Sequence, residues 1–141
     1  MRRALIVMAL AGATLASVAL AQVPLFTIQG TLITNGGDSV PDVTVFVHKG
    51  DRISLEIGAD GRSANPTGKT DSSGRFIIEV PRTFLPATQQ ITLSAGLGPQ
   101  RELVHLRESK TNTPLSFKID PNLRVLDLDR LVGKIVVTGG N

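Results

Sequence analysis

The sequence predicts an all-β fold, a two-sheet sandwich of seven or eight strands, and three observations predict it. After Gln22, apolar and polar residues alternate with a period of two, and no long stretch keeps a helical period. Turn residues recur about every ten positions, as short antiparallel strands require. The third is Gly68–Pro81, a polar turn feeding an alternating strand that a proline closes.

The first element is a processing signal rather than part of the fold. Arg2 and Arg3 precede the apolar and small-residue run Ala4–Val18, and Ala19-Leu20-Ala21 supplies the small residues of a signal-peptidase site. Cleavage after Ala21 leaves residues 22–141 as one domain, periplasmic or secreted, with no stable membrane anchor.

Thr27–Thr34 puts Ile28, Gly30 and Leu32 on one face against Thr27, Gln29 and Thr31 on the other. Asn35–Asp38 is a turn cluster of residues that tolerate positive φ. Val43–Val47 turns Val43, Val45 and Val47 to one side, and Thr44, Phe46 and His48 to the opposite one. A shorter strand is expected at Arg52–Ile57, then a surface loop at Ala59–Gly68. Phe76, Ile78 and Val80 point inward, with Arg75 and Glu79 in water.

Beyond the break at Pro81–Pro86 come strands at Gln90–Ala95, Arg101–Arg107, Leu115–Ile119, Val125–Leu128 and Lys134–Thr138. Leu123–Val132 also admits a short helical turn.

Composition removes several function classes. With Arg2 and Arg3 gone, the 15 Lys and Arg fall to 13 against 12 Asp and Glu, a net charge of +1. No segment clusters its basic residues, so nucleic acid has no electrostatic footprint to meet. The chain has no cysteine, hence no disulfide, no thiol nucleophile and no lipidation site behind the signal. It also lacks tyrosine and tryptophan, the rings that stack sugars and single-stranded bases, which demotes a glycan platform.

The order of elements then becomes recognisable. Ile28-Gln29-Gly30-Thr31-Leu32 leads to Val40-Pro41-Asp42-Val43-Thr44-Val45-Phe46-Val47, then Thr70-Asp71-Ser72-Ser73-Gly74-Arg75-Phe76 and Val80-Pro81. The series resembles the carboxypeptidase regulatory-like domain family. The resemblance implies a transthyretin-like Greek-key β-sandwich. It covers residues 26–96; from there to residue 138 only the strand rhythm agrees. It implies a non-catalytic accessory module, since such domains are appendages of peptidases, receptors and adhesins.

Each motif residue has a physical role of its own. Asp71 accepts backbone N–H groups two residues on in an Asx-type turn. Gly74 supplies a left-handed conformation, and Phe76 follows as an apolar plug whose burial contributes ~2–3 kcal/mol. Gly30 permits a bulge or close approach of a facing ring, Pro41 opens a strand where its missing N–H costs nothing, and Pro81 ends one.

Candidate chemistry is sparse. Asp71 beside Ser72 and Ser73 lacks both the base of a hydrolase and the spaced ligands of a calcium loop. His48 and His105, the two histidines, are expected as outward, solvated strand residues without the third ligand of a metal site. Asp120, Asp127 and Asp129 form an acidic group; Asp127 and Asp129 are expected on one face, resisting sheet-to-sheet association. No catalytic residue, cofactor or metal is therefore assigned.

The expected function is a non-catalytic exported interaction module engaging an unknown cell-envelope or extracellular protein. Phe46 is expected either to lie under another segment or to form, with His48, a candidate partner surface, and strand addition at Ile135–Thr138 is a candidate mode of capture. The alternatives are a ligand- or glycan-binding module and a transthyretin-like hydrolase. Hydroxyisourate hydrolases carry a C-terminal tyrosine-arginine-glycine-serine signature that is missing here. Intradiol dioxygenases hold iron through tyrosines, of which the chain has none.

Overall fold

A computed structural model of the chain describes residues 24–97 and 102–137. The expected signal peptide at residues 1–21, Arg101 and Thr138 lie outside the described residues.

The fold is all-β. The nine strands among the described residues are β1 (Leu25–Ile33), β2 (Thr44–Lys49), β3 (Thr67–Lys69), β4 (Arg75–Pro81), β5 (Gln90–Leu97), β6 (Glu102–Glu108), β7 (Ser116–Lys118), β8 (Val125–Asp127) and β9 (Ile135–Val137). A one-turn helix, α1, spans Leu128–Leu131, and Arg82–Phe84 forms a 3-10 turn. Among the described residues no helix is long and apolar enough to cross a membrane.

Ladders join all nine strands in one sheet, in the order β3-β2-β5-β6-β9-β1-β4, with β7 on β5 and β8 on β1. The first strand, β1, has three partners. It pairs antiparallel with β4 from Leu25↔Pro81 to Thr31↔Arg75, while β8 and then β9 pair with it in parallel. The sheet curls until its two end strands meet. Gly68 of β3 lies so close to β4 that a Cβ there would stand 2.4 Å from the Ile77 carbonyl oxygen. The missing side chain is what lets the curl close.

Alternation fills the interior as the period predicts. Phe26, Ile28 and Leu32 of β1 meet Phe76, Ile78 and Val80 of β4, and Val45, Val47, Ile91, Leu93 and Ala95 arrive from β2 and β5. All are buried, and at about 1.5–3 kcal/mol for each large apolar side chain this core is the main source of stability.

Three expectations are corrected. Arg52–Ile57 is not a strand: β2 already pairs with β3 on one edge and β5 on the other, leaving it no ladder to join. Instead, residues 50–66 form an irregular strap across the outer face of β2, closed on itself by Gly58 N–H to Arg62 O, Ala64 N–H to Glu56 O and one bridge at Ile57↔Ser63. The end of the expected Ala59–Gly68 loop belongs to β3, a strand too short to show alternation. β9 is not a free edge for residues 135–137, because β1 and β6 flank it.

The strand expected to run through Leu128 stops at Asp127, where the chain turns into α1. Leu126 and Leu128 are both buried across that junction.

Candidate functional site

The turn that dominates the sequence is built by its own side chains. Asp71 Oδ1 accepts the N–H groups of Ser73 at 2.8 Å and Arg75 at 3.0 Å. Gly74 follows at φ 80°, the left-handed region, and a Cβ there would come 2.5 Å from Leu32 O. Leu32 N–H donates to Gly74 O at 2.8 Å, so the turn is locked onto β1. Ser72 and Ser73 are exposed, as is Asp71. Pro41 is exposed before Asp42, whose φ of 63° is held by its N–H to Thr70 O at 3.0 Å.

Phe46 and His48 are not a surface pair. Alternation places them correctly, opposite Val45 and Val47, but the strap covers that face at His48. His48 is 0% exposed, stacked on Phe46 with ring centroids 6.2 Å apart, and Phe46 is half-buried. Beside Phe46 is a shallow hollow of about 320 Å³, lined by Asp42, Thr44, Lys69, Gly96 and Leu97, with Lys69 Nζ 2.9 Å from Asp42 Oδ1 at its rim.

His48 is the centre of the only arrangement among the described residues that looks like chemistry. Its Nδ1 stands 2.8 Å from the Ser54 carbonyl and 3.2 Å from the Ser54 N–H; the shorter contact, to an acceptor, favours the tautomer with the proton on Nδ1. Nε2 is then the acceptor, and Ser94 Oγ donates to it at 2.6 Å. Asn65 lies beside the ring, donating from Nδ2 to Val47 O at 2.8 Å and Ser54 O at 3.1 Å, and accepting at Oδ1 from Glu56 N–H at 2.8 Å. Burial holds the imidazole below its ordinary pKa of 6.5. The Ser54 bond opposes that shift, and His105, across β5, adds to it.

A serine hydroxyl on an imidazole with an oriented far nitrogen is the pairing of a nucleophile and its base. Here, however, Ser94 and His48 are both 0% exposed, and the strap lies over His48. In this conformation the set is a pin between strap and sheet. Thr92 adds a second pin, Oγ1 to Gly50 O at 2.8 Å, and Lys49 Nζ a third, 3.5 Å from Glu56 Oε1.

His105 is not a freely solvated residue either. It pairs with Ser94 across β5 and β6, it is half-buried, and its Nδ1 is sealed from solvent without a hydrogen-bond partner. The acidic residues do not converge: Asp129 accepts from Thr31 Oγ1 at 3.0 Å, Asp120 caps its own turn through Asn122 N–H at 2.8 Å, and Asp127 ends β8. Among the described residues no group of three His, Cys, Asp or Glu could hold a metal.

Ser94 and Asn65 did not stand out in the sequence. Thr92 and Ser94 alternate with Ile91, Leu93 and Ala95, the pattern of a solvated outer face, and Asn65 reads as loop. Compared with known proteins, the chain matches no family model and no curated protein.

Proposed function

We propose that the chain is an exported, non-catalytic β module that attaches to a protein of the cell envelope through the strap at residues 50–66. The observation that carries this is the pair Leu55 and Ile57, which are 49% and 64% exposed on a segment tied to the sheet from beneath. A free loop would fold such side chains away. This one is held out by Asn65, His48 and Thr92, and two large apolar side chains presented on a held segment suit capture by a partner.

The transthyretin-like sandwich is the finer fold reading. Supporting it, the curl sets β3, β2, β5 and β6 against β4 and β1 around one core, and the segment from β1 to β5 carries motifs that resemble those of carboxypeptidase regulatory-like domains. The leader at residues 1–21 supports export, to the periplasm or beyond.

The test places a photo-crosslinking amino acid at Leu55 or Ile57 and, as control, at Thr83 on the 3-10 turn, in cells exporting the chain. An envelope protein crosslinked from the strap positions alone, and lost when the other strap residue is changed to Ser, is the expected result. Crosslinks equal at Thr83, or only free chain from every position, would overturn the reading. N-terminal sequencing of the exported chain should begin at Gln22.

A further inference from the structure

We propose that the strap at residues 50–66 is released by acid, with His48 as the latch: uptake of a proton by its imidazole frees the strap from β2 and β5 while the sheet stays folded. The device stands on the geometry of His48 and does not depend on the partner reading.

The neutral ring is bonded at both nitrogens without a charge in the site. Nδ1–H needs the Ser54 carbonyl, and Nε2 needs the Ser94 proton. A second proton turns Nε2 into a donor, so the Ser94 hydroxyl must give up its own bond to the ring, accept instead and turn its proton elsewhere in a covered site. It also places a full positive charge in a site with no exposed surface.

Beyond the Ser54 carbonyl, no facing group offers a counter-charge. β5 presents Ser94 and Thr92, which are neutral. β6 presents His105, which repels it, and Arg107, whose Nη1 is bonded to Asn112 O at 3.0 Å. β7 contributes Ser116 and the exposed Lys118. The strap sets the amide Nδ2 of Asn65 3.3 Å from Nδ1, a donor rather than an acceptor. Of its carboxylates, Glu56 is paired with Lys49 and Asp51 with Arg52, while Asp60 accepts Arg62 N–H in the exposed tip. On β2 itself, Lys49 is the neighbouring charge, and it is a cation.

The strap yields before the sheet because the two are held differently. β2 is held by ladders on both edges and by Val45 and Val47 in the core. The middle of the strap is held by side-chain bonds that meet at His48 and Asn65, each individually weak. The sign follows from the lowered pKa. The closed strap has its full stability above the ordinary imidazole value of 6.5 and loses it as pH falls below that toward the lowered folded-state value.

Hydrogen exchange of the full mature chain, corrected for the intrinsic pH dependence of exchange, tests this between about pH 7.5 and about pH 5. Peptides from residues 50–66 should lose protection by more than about threefold while β1 and β4 keep theirs. His48→Gln, which cannot take up the proton, should make strap exchange independent of pH. His105→Gln, which removes the repelling neighbour, should shrink the change without abolishing it. The His48 imidazole resonances should titrate over the same interval in which the strap opens. The proposal is overturned if strap protection in the wild type is flat with pH, or if it falls as steeply in His48→Gln. It is also overturned if β1 and β4 open with the strap. Should His48→Gln not fold, coincidence of the His48 titration with strap opening in the wild type decides the matter.

Discussion

The Phe76 ring lies over Gly30, the residue directly opposite it across β4 and β1, so closely that a Cβ on Gly30 would stand 3.0 Å from Phe76 Cζ. Two further neighbours close the same space, Ile135 Cδ1 at 3.1 Å and Leu128 Cβ at 3.3 Å. With β4, β9 and α1 on three sides, no neighbour has free room to yield. Gly30→Ala should therefore cost about 1–3 kcal/mol through overpacking, read as a lower urea midpoint at unchanged slope. Phe76→Leu in the same background should recover part of the loss. Independent, additive effects of the two changes would show that the ring and the glycine are not coupled.

Gly68 poses a harder obstacle. A Cβ there meets the Ile77 carbonyl oxygen at 2.4 Å and Ile78 Cγ1 at 2.8 Å, and the first of these is backbone. Gly68→Ala should cost at least the upper part of the about 1–3 kcal/mol range for overpacking, because the end strands must part for the methyl to fit. Raised exchange confined to β3 and the adjoining strap would mark the opened curl. A fully stable Gly68→Ala would mean that β3 and β4 are not in contact in solution.

These two glycines divide what is legible in the sequence from what is not. Gly30 interrupts an alternating strand, so a bulge or the close approach of a facing ring can be read from the pattern alone. Gly68 sits where a polar loop runs into a three-residue strand, and its partner is fixed only when the sheet has curled. The same limit governs His48. Alternation assigns it to the side away from Val45 and Val47, but a period of two names a face and does not say what covers it. Arg52–Ile57 fails for a related reason. Ile53, Leu55 and Ile57 alternate like a strand, yet a strand also needs a free edge, and both edges of β2 are occupied by segments distant in sequence.

Asp71 and Gly74 shape the turn by different means, and substitutions should separate them. Asp71→Ala removes the acceptor of two backbone N–H groups in an exposed turn, a loss of about 1–2 kcal/mol, while Asp71→Asn keeps an oxygen there and should cost less. Gly74→Ala combines a left-handed φ of 80° with a 2.5 Å clash against Leu32 O and should exceed both. Chemical denaturation of the three variants should rank them Asp71→Asn, Asp71→Ala, Gly74→Ala in rising cost. Any other order would show that the turn is not held as described.

Asn65 ties the strap to the sheet at neutral pH. Its loss leaves Val47 O and Glu56 N–H without their side-chain partners in a covered site, a cost of about 1–3 kcal/mol for each group that water cannot reach. Asn65→Ala should therefore open the strap at about pH 7.5, where the wild type is closed. Limited proteolysis with trypsin at Arg62 reports it: rapid cleavage in the variant, slow cleavage in the wild type, with the rest of the chain resistant in both. Equal rates would place the attachment of the strap elsewhere.

Ser94 and His48 yield the sharpest contrast between a pin and a nucleophile. A catalytic serine must meet its substrate, and Ser94 is 0% exposed on the covered outer face of the sheet. A fluorophosphonate probe should leave the native chain unlabelled at about pH 7.5. Ser94→Ala, which deprives His48 Nε2 of its donor, should lower stability by about 1–2 kcal/mol. Stoichiometric labelling of Ser94 in the wild type, lost in His48→Gln, would reverse this assignment: the strap would then be a lid that opens at neutral pH, and the pair beneath it a reactive centre.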